Sequence, residues 1–592
     1  MYPLTVTMTK AGAVRYGFQL SAVSDSSNSQ AGTFAVPTGV SRISVITSAG
    51  IQYAQHNGTN AFLTPTNTFT VNWTAPSSTA GGTVRFNLAA NAANGNAQNT
   101  GDFIYTRVDR VDPAAVAPPP DTSIRSFTLS NRGGSLLRSD GAGDLVQGYT
   151  RIQPGTGSTT PSGVAIFGYR QNNVLVSETG VPASPLLLSG RIYAEVGADA
   201  RLNTGIAVAN PNSTAATIAF QITNTAGAVV KDGSFSLAAN AQRAAFLDAD
   251  PFLGPKPVQG TMSFTSTVPI SMVALRTFTN ERSDFLMSTL PVVDTSLPAS
   301  SGTQYIPHFA DGAGLTTHIL LVNPSDTAMT GDVQFFSQGS ESAAGAPTPV
   351  SIAGVVNSTH AYSVAARSSV RLSTAGTATA LTQGSVRVNP TGGGVSPVPL
   401  VVFTYKPGAF TLSEAGVGAV QASAFRLYVE ASGTAGTAGN IETGFAIANT
   451  SATSGTVTLE LTNMDGTTTG LPAATTRTIP GSGQIVGFLT SFFTGLPNPF
   501  RGILRISTST SGISVVGIRS RYNENTSYLM TTTPPTNEAA TTSSAELLFP
   551  HIVNGGGFTT EFIVFSGIAG QASTGNLRFV QNNGTALTLT LN

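Results

Sequence analysis

The 592-residue chain contains no cysteine. That excludes disulfide staples, thiolate zinc sites and thiol nucleophiles together. Lysine is nearly absent, confined to Lys10, Lys231, Lys256 and Lys406, and Trp73 is the single tryptophan. Charged residues make up only 10%, with 29 Lys+Arg against 29 Asp+Glu. Such a balance leaves no electrostatic footprint for nucleic acid or an anionic membrane. No apolar run approaches the roughly 18 residues of a membrane helix, so no membrane insertion is expected. A signal peptide is missing too: Met1 runs straight into Tyr2-Pro3-Leu4-Thr5-Val6-Thr7, which alternates like a strand. The expectation is an extracellular or cell-surface chain that begins after a removed export signal, or is part of a longer protein. A bacterial source fits the missing cysteine, because a eukaryotic secreted chain of this length would carry disulfides.

What is abundant is Ser, Thr, Asn, Gln and Gly, which suit strands and turns better than helices. Runs such as Thr217-Ile218-Ala219-Phe220-Gln221-Ile222 and Gly331-Asp332-Val333-Gln334-Phe335-Phe336 are strand-length. Gly, Asn, Pro and Ser punctuate them about every ten residues, the rhythm of an all-β sandwich. The length calls for about four to six domains.

Internal repeats divide the chain. Arg191-Ile192-Tyr193-Ala194-Glu195 returns as Arg426-Leu427-Tyr428-Val429-Glu430, and Thr204-Gly205-Ile206-Ala207-Val208-Ala209-Asn210 as Thr443-Gly444-Phe445-Ala446-Ile447-Ala448-Asn449. These define module B, at 189–298 and 424–540. Tyr305-Ile306-Pro307-His308-Phe309 returns as Leu548-Phe549-Pro550-His551-Ile552 and defines module A, complete at 303–422. Its second half, ending Leu412-Ser413-Glu414-Ala415-Gly416-Val417, matches Val176-Ser177-Glu178-Thr179-Gly180-Val181. Residues 122–188 therefore hold only the second half of module A, and 546–592 only the first. The period is near that of one immunoglobulin-like sandwich. The fold expected is all-β: tandem immunoglobulin-like sandwiches with incomplete modules at both chain ends. Each module is expected to bury its own core.

The N-terminal region is different. Tyr16-Gly17-Phe18-Gln19-Leu20, Phe69-Thr70-Val71-Asn72-Trp73-Thr74-Ala75-Pro76, Gly82-Thr83-Val84-Arg85-Phe86 and Gly101-Asp102-Phe103-Ile104-Tyr105 together resemble the Reeler-type domain, bacterial versions of which occur in exported choice-of-anchor proteins. The resemblance covers 1–112 and implies an extracellular β-sandwich with no catalytic residues to carry over. Its first strands look missing. A Pro-rich linker, 113–121, follows, with Val116-Ala117-Pro118-Pro119-Pro120 stiffening it. The A and B modules resemble uncharacterised tandem repeats of bacterial secreted proteins.

Chemistry is hard to find. His56, His308, His318, His360 and His551 show no metal-ligand spacing. His308 and His551 share one repeat position, which points to packing; His318 and His360 read as surface residues. Asp248-Ala249-Asp250 suggests calcium, but the equivalent Leu489-Thr490-Ser491-Phe492 lacks carboxylates. Arg276, Asn280 and Glu281 recur as Arg519, Asn523 and Glu524. Two readings stand for them: an Arg–Glu brace across a turn, or a surface site duplicated in both B modules. Tyr193, Tyr428 and Tyr522 are the aromatics left for stacking on a sugar. No nucleophile elbow, phosphate loop or glycosidase carboxylate pair stands out. No enzyme, no cofactor and no metal are expected.

The leading expectation is a structural protein: a filament, stalk or sheath subunit. Its partners are copies of itself, joined head-to-tail with 546–592 of one chain completing 122–188 of the next. A fragment of a longer array, and closure of the two halves within one chain, are the competing explanations of the ends. The functional alternatives are an adhesin or a binder of surface polysaccharide that uses the repeats as spacer, and an accessory part of an exported enzyme.

Overall fold

The structure, a computed structural model, describes all residues except 58–65, 77–81, 97, 99, 112–122, 419, 473 and 510–511. The expected linker at 113–121 lies wholly outside the described residues. Strands dominate; the helical content described is Leu489–Phe492 and a 3-10 turn at Thr391–Gly393. The chain divides into two compact units, Met1–Pro118 and Pro119–Asn592.

The first unit is a two-sheet sandwich. Tyr2–Thr9, Thr66–Thr74 and Thr33–Ala35 form one sheet, and five strands from Arg15–Ser24 to Phe103–Val111 form the other. Alternation along Tyr2–Thr9 turns Val6 and Met8 inward while Thr5, Thr7 and Thr9 stay exposed. Phe18 meets Phe69 at 4.7 Å, and Trp73 packs edge-on to Phe86 at 4.9 Å. The Trp73 indole donates to the Ala31 carbonyl (3.1 Å), which satisfies its one polar atom inside the core.

In the second unit, residues 303–422 fold as a sandwich of two four-stranded sheets. One runs Gln304–Asp311, Thr382–Pro390, Met329–Ser337, Thr359–Val364; the other runs Ser369–Ser373, Leu315–Val322, Val398–Tyr405, Ser413–Gly418. The same two sheets recur at the chain ends, built from both half-modules. Leu547–Asn554, Val146–Pro154, Ser573–Gln581 and Ile124–Leu129 form one. Gly134–Arg138, Phe558–Phe565, Ser162–Gln171 and Val174–Pro182 form the other. Strands from 546–592 thus sit inside both sheets, for example with Ile563 opposite Leu136 on one side and Val164 on the other.

This corrects the expected head-to-tail fibre. The half at 122–188 is completed by 546–592 of its own chain, so neither half is left with an open face for a neighbour. The physical reason is closure of four modules into a ring. One strand of each module, Val174–Pro182, Phe285–Leu290, Ser413–Gly418 and Tyr528–Thr532, packs against two of the others in cyclic order. Met287 N–H donates to Ser177 Oγ (2.9 Å), Met530 N–H to Ser413 Oγ (2.7 Å) and Gly180 N–H to Thr531 Oγ1 (2.6 Å). At the remaining seam, a Cβ on Gly416 would lie 1.9 Å from the Thr289 carbonyl oxygen; on Gly180 it would lie 2.0 Å from that of Thr532. Only glycine allows backbones to approach this closely.

Modules do not bury their cores separately. Leu320, Val322, Leu400 and Val402 of module 303–422 belong to the core of 189–298. Ala446, Val516 and Met530 of 424–540 join the core of 303–422. The cause is visible in the strands at the seams: Ile319-Leu320-Leu321-Val322 is buried at every position. A strand apolar on both faces needs a packing partner on each side.

Candidate functional site

The duplicated residues Arg276, Asn280, Glu281 and Arg519, Asn523, Glu524 all lie where a B module meets a module of type A. Arg276 sits within a ladder, opposite Ser288, whereas Glu281 lies at the hairpin tip. Four residues separate them, the first three still strand, and the expected Arg–Glu turn brace does not form. Arg276 instead binds Glu414, and Arg519 binds Glu178, both across the seam. Both arginines are buried, as are Glu178 and Glu414, whereas Glu281 and Glu524 at the hairpin tips are exposed.

The hairpin tips are clasps. Asn280 Oδ1 accepts from its own turn, from Arg282 N–H (2.8 Å) and Asp284 N–H (2.9 Å), while its Nδ2 donates across the seam to the Thr411 carbonyl (2.7 Å). Asn523 repeats this with Asn525, Ser527 and the Leu175 carbonyl (2.8 Å). Glu281 accepts from Thr411 N–H (2.8 Å) and pairs with Lys406; Glu524 accepts from Leu175 N–H (2.9 Å) and from Arg170 (2.6 Å). Although burial pushes the Glu281 carboxyl up, Lys406 and the backbone donors outweigh it and hold it down at about 2.

Behind each clasp lies a buried charge cluster. In one, Arg276 and Arg371 face Glu195 and Glu414. In the other, Arg519, Arg501 and Arg521 face Glu430 and Glu178. Burial opposes charge on Arg519, but Glu178 and Glu430 override it and raise its pKa. Burial likewise works against ionised Glu430, which Arg519 and Arg501 nevertheless hold below its usual range. The position after the Thr-Thr repeat differs between clusters: His318 in one, Glu561 in the other. Burial, then the nearby Arg276 and Arg371, lowers His318 to about 3; burial raises Glu561.

Arg191 and Arg426 fasten the same seams. Arg191 donates to the carbonyls of Asn323 and Ser325 (2.8 Å each) and pairs with Asp326. Arg426, 2% exposed, pairs with Glu538 (2.6 Å) and donates to the Ser566 carbonyl (3.1 Å). Sequence reading passed over Arg191, Glu195, Glu178 and their counterparts as partners. The signal was in the repeats: Arg-x-Tyr-x-Glu places three long polar-tipped side chains on one face of a strand. Tyr193 and Tyr428 are buried on that face, which removes them as sugar-stacking platforms.

At the other two seams, His308 and His551 each meet a glutamine from the next module. Gln242 Nε2 lies 3.1 Å from His551 Nδ1. With its amide turned so that nitrogen faces the Pro307 and Gly384 carbonyls (2.8 Å each), Gln484 accepts from His308 Nδ1 (3.2 Å). Burial lowers both imidazoles to about 4. His360, expected at the surface, is buried with Nε2 near the carbonyls of Val350 and Asn357 (3.1 and 2.9 Å). His318 is half-buried between Ser373 and Thr404. Asp248 is held by Lys256 and Asn203, and Asp250 by Arg243. Among the described residues no group of three His, Cys, Asp or Glu is placed to hold a metal, and no helix is long and apolar enough to cross a membrane.

No family model and no curated protein matches this chain. Among solved structures, it is similar to one described as the atomic structure of Sulfolobus Turreted Icosahedral Virus, at 14% identity over 68% of this chain and 90% of that one, with a TM-score of 0.11. A second, on the triple jelly roll fold and turret assembly in an archaeal virus, has 13% identity over 75% of this chain and 98% of that one, with a TM-score of 0.11. An infectious bursal disease virus VP2 subviral particle gives 13%, 69%, 84% and 0.09 for the same quantities. Scores this low carry no argument about the chain.

Proposed function

We propose that this is a non-catalytic, extracellular structural protein of bacterial origin, in which 119–592 is a rigid closed body and the Reeler-like sandwich is the module that joins it to other material. The observation that carries this reading is where the duplicated charged residues lie. Arg276 with Glu414 and Arg519 with Glu178 hold one module to the next from buried positions, Glu195 reaches Arg371 of the next module, and Glu430 backs Arg519 from within its own module. These charged groups are engaged in holding the ring shut. Assembly into a filament, stalk or sheath then has to use surfaces other than the complementary halves at the chain ends.

The adhesin or polysaccharide-binding reading is favoured by one feature of the first unit. Strands Tyr2–Thr9 and Phe103–Val111 border a cleft of 640 Å³ that Tyr105, Arg107 and Asp109 help to line.

Substituting Glu178→Gln and Glu414→Gln in the full chain tests the structural reading. The melting temperature should fall, in line with the loss of the ion pairs of Glu414 with Arg276 and of Glu178 with Arg519 and Arg521. Loss of a turnover or of a ligand with the melting temperature unchanged would overturn it. Electron micrographs of native material separate the two readings: ordered assemblies support the structural one, dispersed particles bound to polysaccharide the adhesive one.

A further inference from the structure

The ring's two A-to-B seams have the same scaffold but are filled differently. Where 189–298 packs on the module built from the chain ends, a cavity of 290 Å³ opens to solvent. Four aromatic rings, Phe167, Phe246, Phe285 and Phe558, line it together with Ala244 and His551, and no charged side chain does. At the second seam, strand register places Val486 where Ala244 stands, and Tyr528 where Phe285 stands. There Val486 and Tyr528 pack against the core of 303–422. Tyr528 also meets Tyr405 edge-on at 5.7 Å. One seam thus carries a branched side chain and a phenol ring at the two positions where the other has Ala244 and Phe285.

The polar side chains in the lining are Gln147, Thr277 and His551, and the imidazole is the one set edge-on to a lining ring, Phe167, at 5.9 Å. His551 Nδ1 is occupied by Gln242, and among the described residues Nε2 has no partner. Burial lowers the imidazole to about 4, so at neutral pH the ring is uncharged. Its free nitrogen is a donor or an acceptor according to which way the Gln242 amide is turned. A hydroxyl serves in both cases, since it donates and accepts. Size is ample: an apolar cavity of about 150 Å³ admits benzene.

We propose that this cavity is a binding site for a small uncharged aromatic alcohol, its rings among Phe167, Phe246, Phe285 and Phe558 and its hydroxyl on His551 Nε2. Charged ligands are disfavoured, because no lining group offsets the cost of stripping their water. The site is independent of the structural role, and a structural protein with or without it would assemble alike.

The test is titration of the full chain with 2-naphthol, followed by calorimetry, on the wild type and three variants. Saturable binding at one site is expected for the wild type. Ala244→Val, which copies the residue at 486, should weaken it by about tenfold or more by filling the space. Val486→Ala, at the opposite seam, should leave it unchanged. His551→Gln should weaken 2-naphthol more than 2-methylnaphthalene, which has no hydroxyl to place. Absence of saturable binding to the wild type overturns the proposal. So does equal affinity in Ala244→Val. Equal weakening of both probes by His551→Gln overturns the role of Nε2.

Discussion

Acid should loosen this protein well before its carboxylates are protonated. His308, His551 and His318 are held at about 4, 4 and 3 in the folded state, against 6.5 when unfolded. Between those limits the unfolded chain binds more protons than the folded one, so stability falls as pH falls. Going from about pH 7.5 to about pH 5, each imidazole forfeits about 2 kcal/mol by linkage. Three together make about 6 kcal/mol, comparable with the whole stability of an ordinary domain. Since these rings keep part of their surface, this is an upper figure. Glu561 works the other way: its raised pKa adds stability as it takes up its proton. Urea unfolding across this pH range measures the sum. Replacing His308 and His551 together by Gln should remove about 4 kcal/mol of the pH dependence while leaving Glu561 in place. A wild type equally stable at both ends, or a double variant with the same slope, would refute the reasoning.

Arg519→Met strands Glu178 and Glu430 with one arginine each, and should cost about 3–5 kcal/mol, read from urea unfolding at neutral pH. Gly416→Ala drives a methyl into the Thr289 carbonyl and should lower the melting temperature of the ring, whereas Gly408→Ala, with open space around it, should not. Deleting 546–592 takes an internal strand from each sheet of the first module, so calorimetry should lose the cooperative transition of 119–592; an unaltered transition would contradict the pairing described.

All-β character was legible in the sequence because its signals are local: strand-length apolar runs and turn residues between them. The complementary halves were legible too, through repeats of whole motifs such as Ser413-Glu414 and Ser177-Glu178. Whether they met within one chain or between two was not, since motif order is the same in both cases. Closure depends on the angle at which successive modules pack, and that angle is set by contacts such as Gly180 on Thr532, far apart in sequence. The duplicated Arg–Asn–Glu set was found by repetition, but its partners were assigned to the nearest acid in sequence. Arg276 had Glu281 five residues away and bound Glu414 instead. Strand geometry decides this: neighbours in space across a seam are invisible to a reading along the chain. His318 and His360 were misjudged for a related reason, since a lone polar residue looks exposed until the surrounding strands are placed, whereas the shared repeat position of His308 and His551 pointed to packing.

The way the ring is shut also sets a timetable for its making. Thr560 N–H donates to Ser139 Oγ across 421 positions of chain. At about 5–20 residues per second of synthesis, the first strands of the ring wait about 20–80 s for their partners. Throughout that interval Phe127, Ile152 and Phe167 have no Phe549, Phe562 or Phe579 to cover them. Contacts so remote also make for slow folding once the chain is whole. Moving the chain break to the Ser/Pro/Ala segment 296–302, with the present ends of the ring joined, would give the first module a continuous sequence. The native contacts would be unchanged, yet the permuted protein should mature faster and aggregate less on the way.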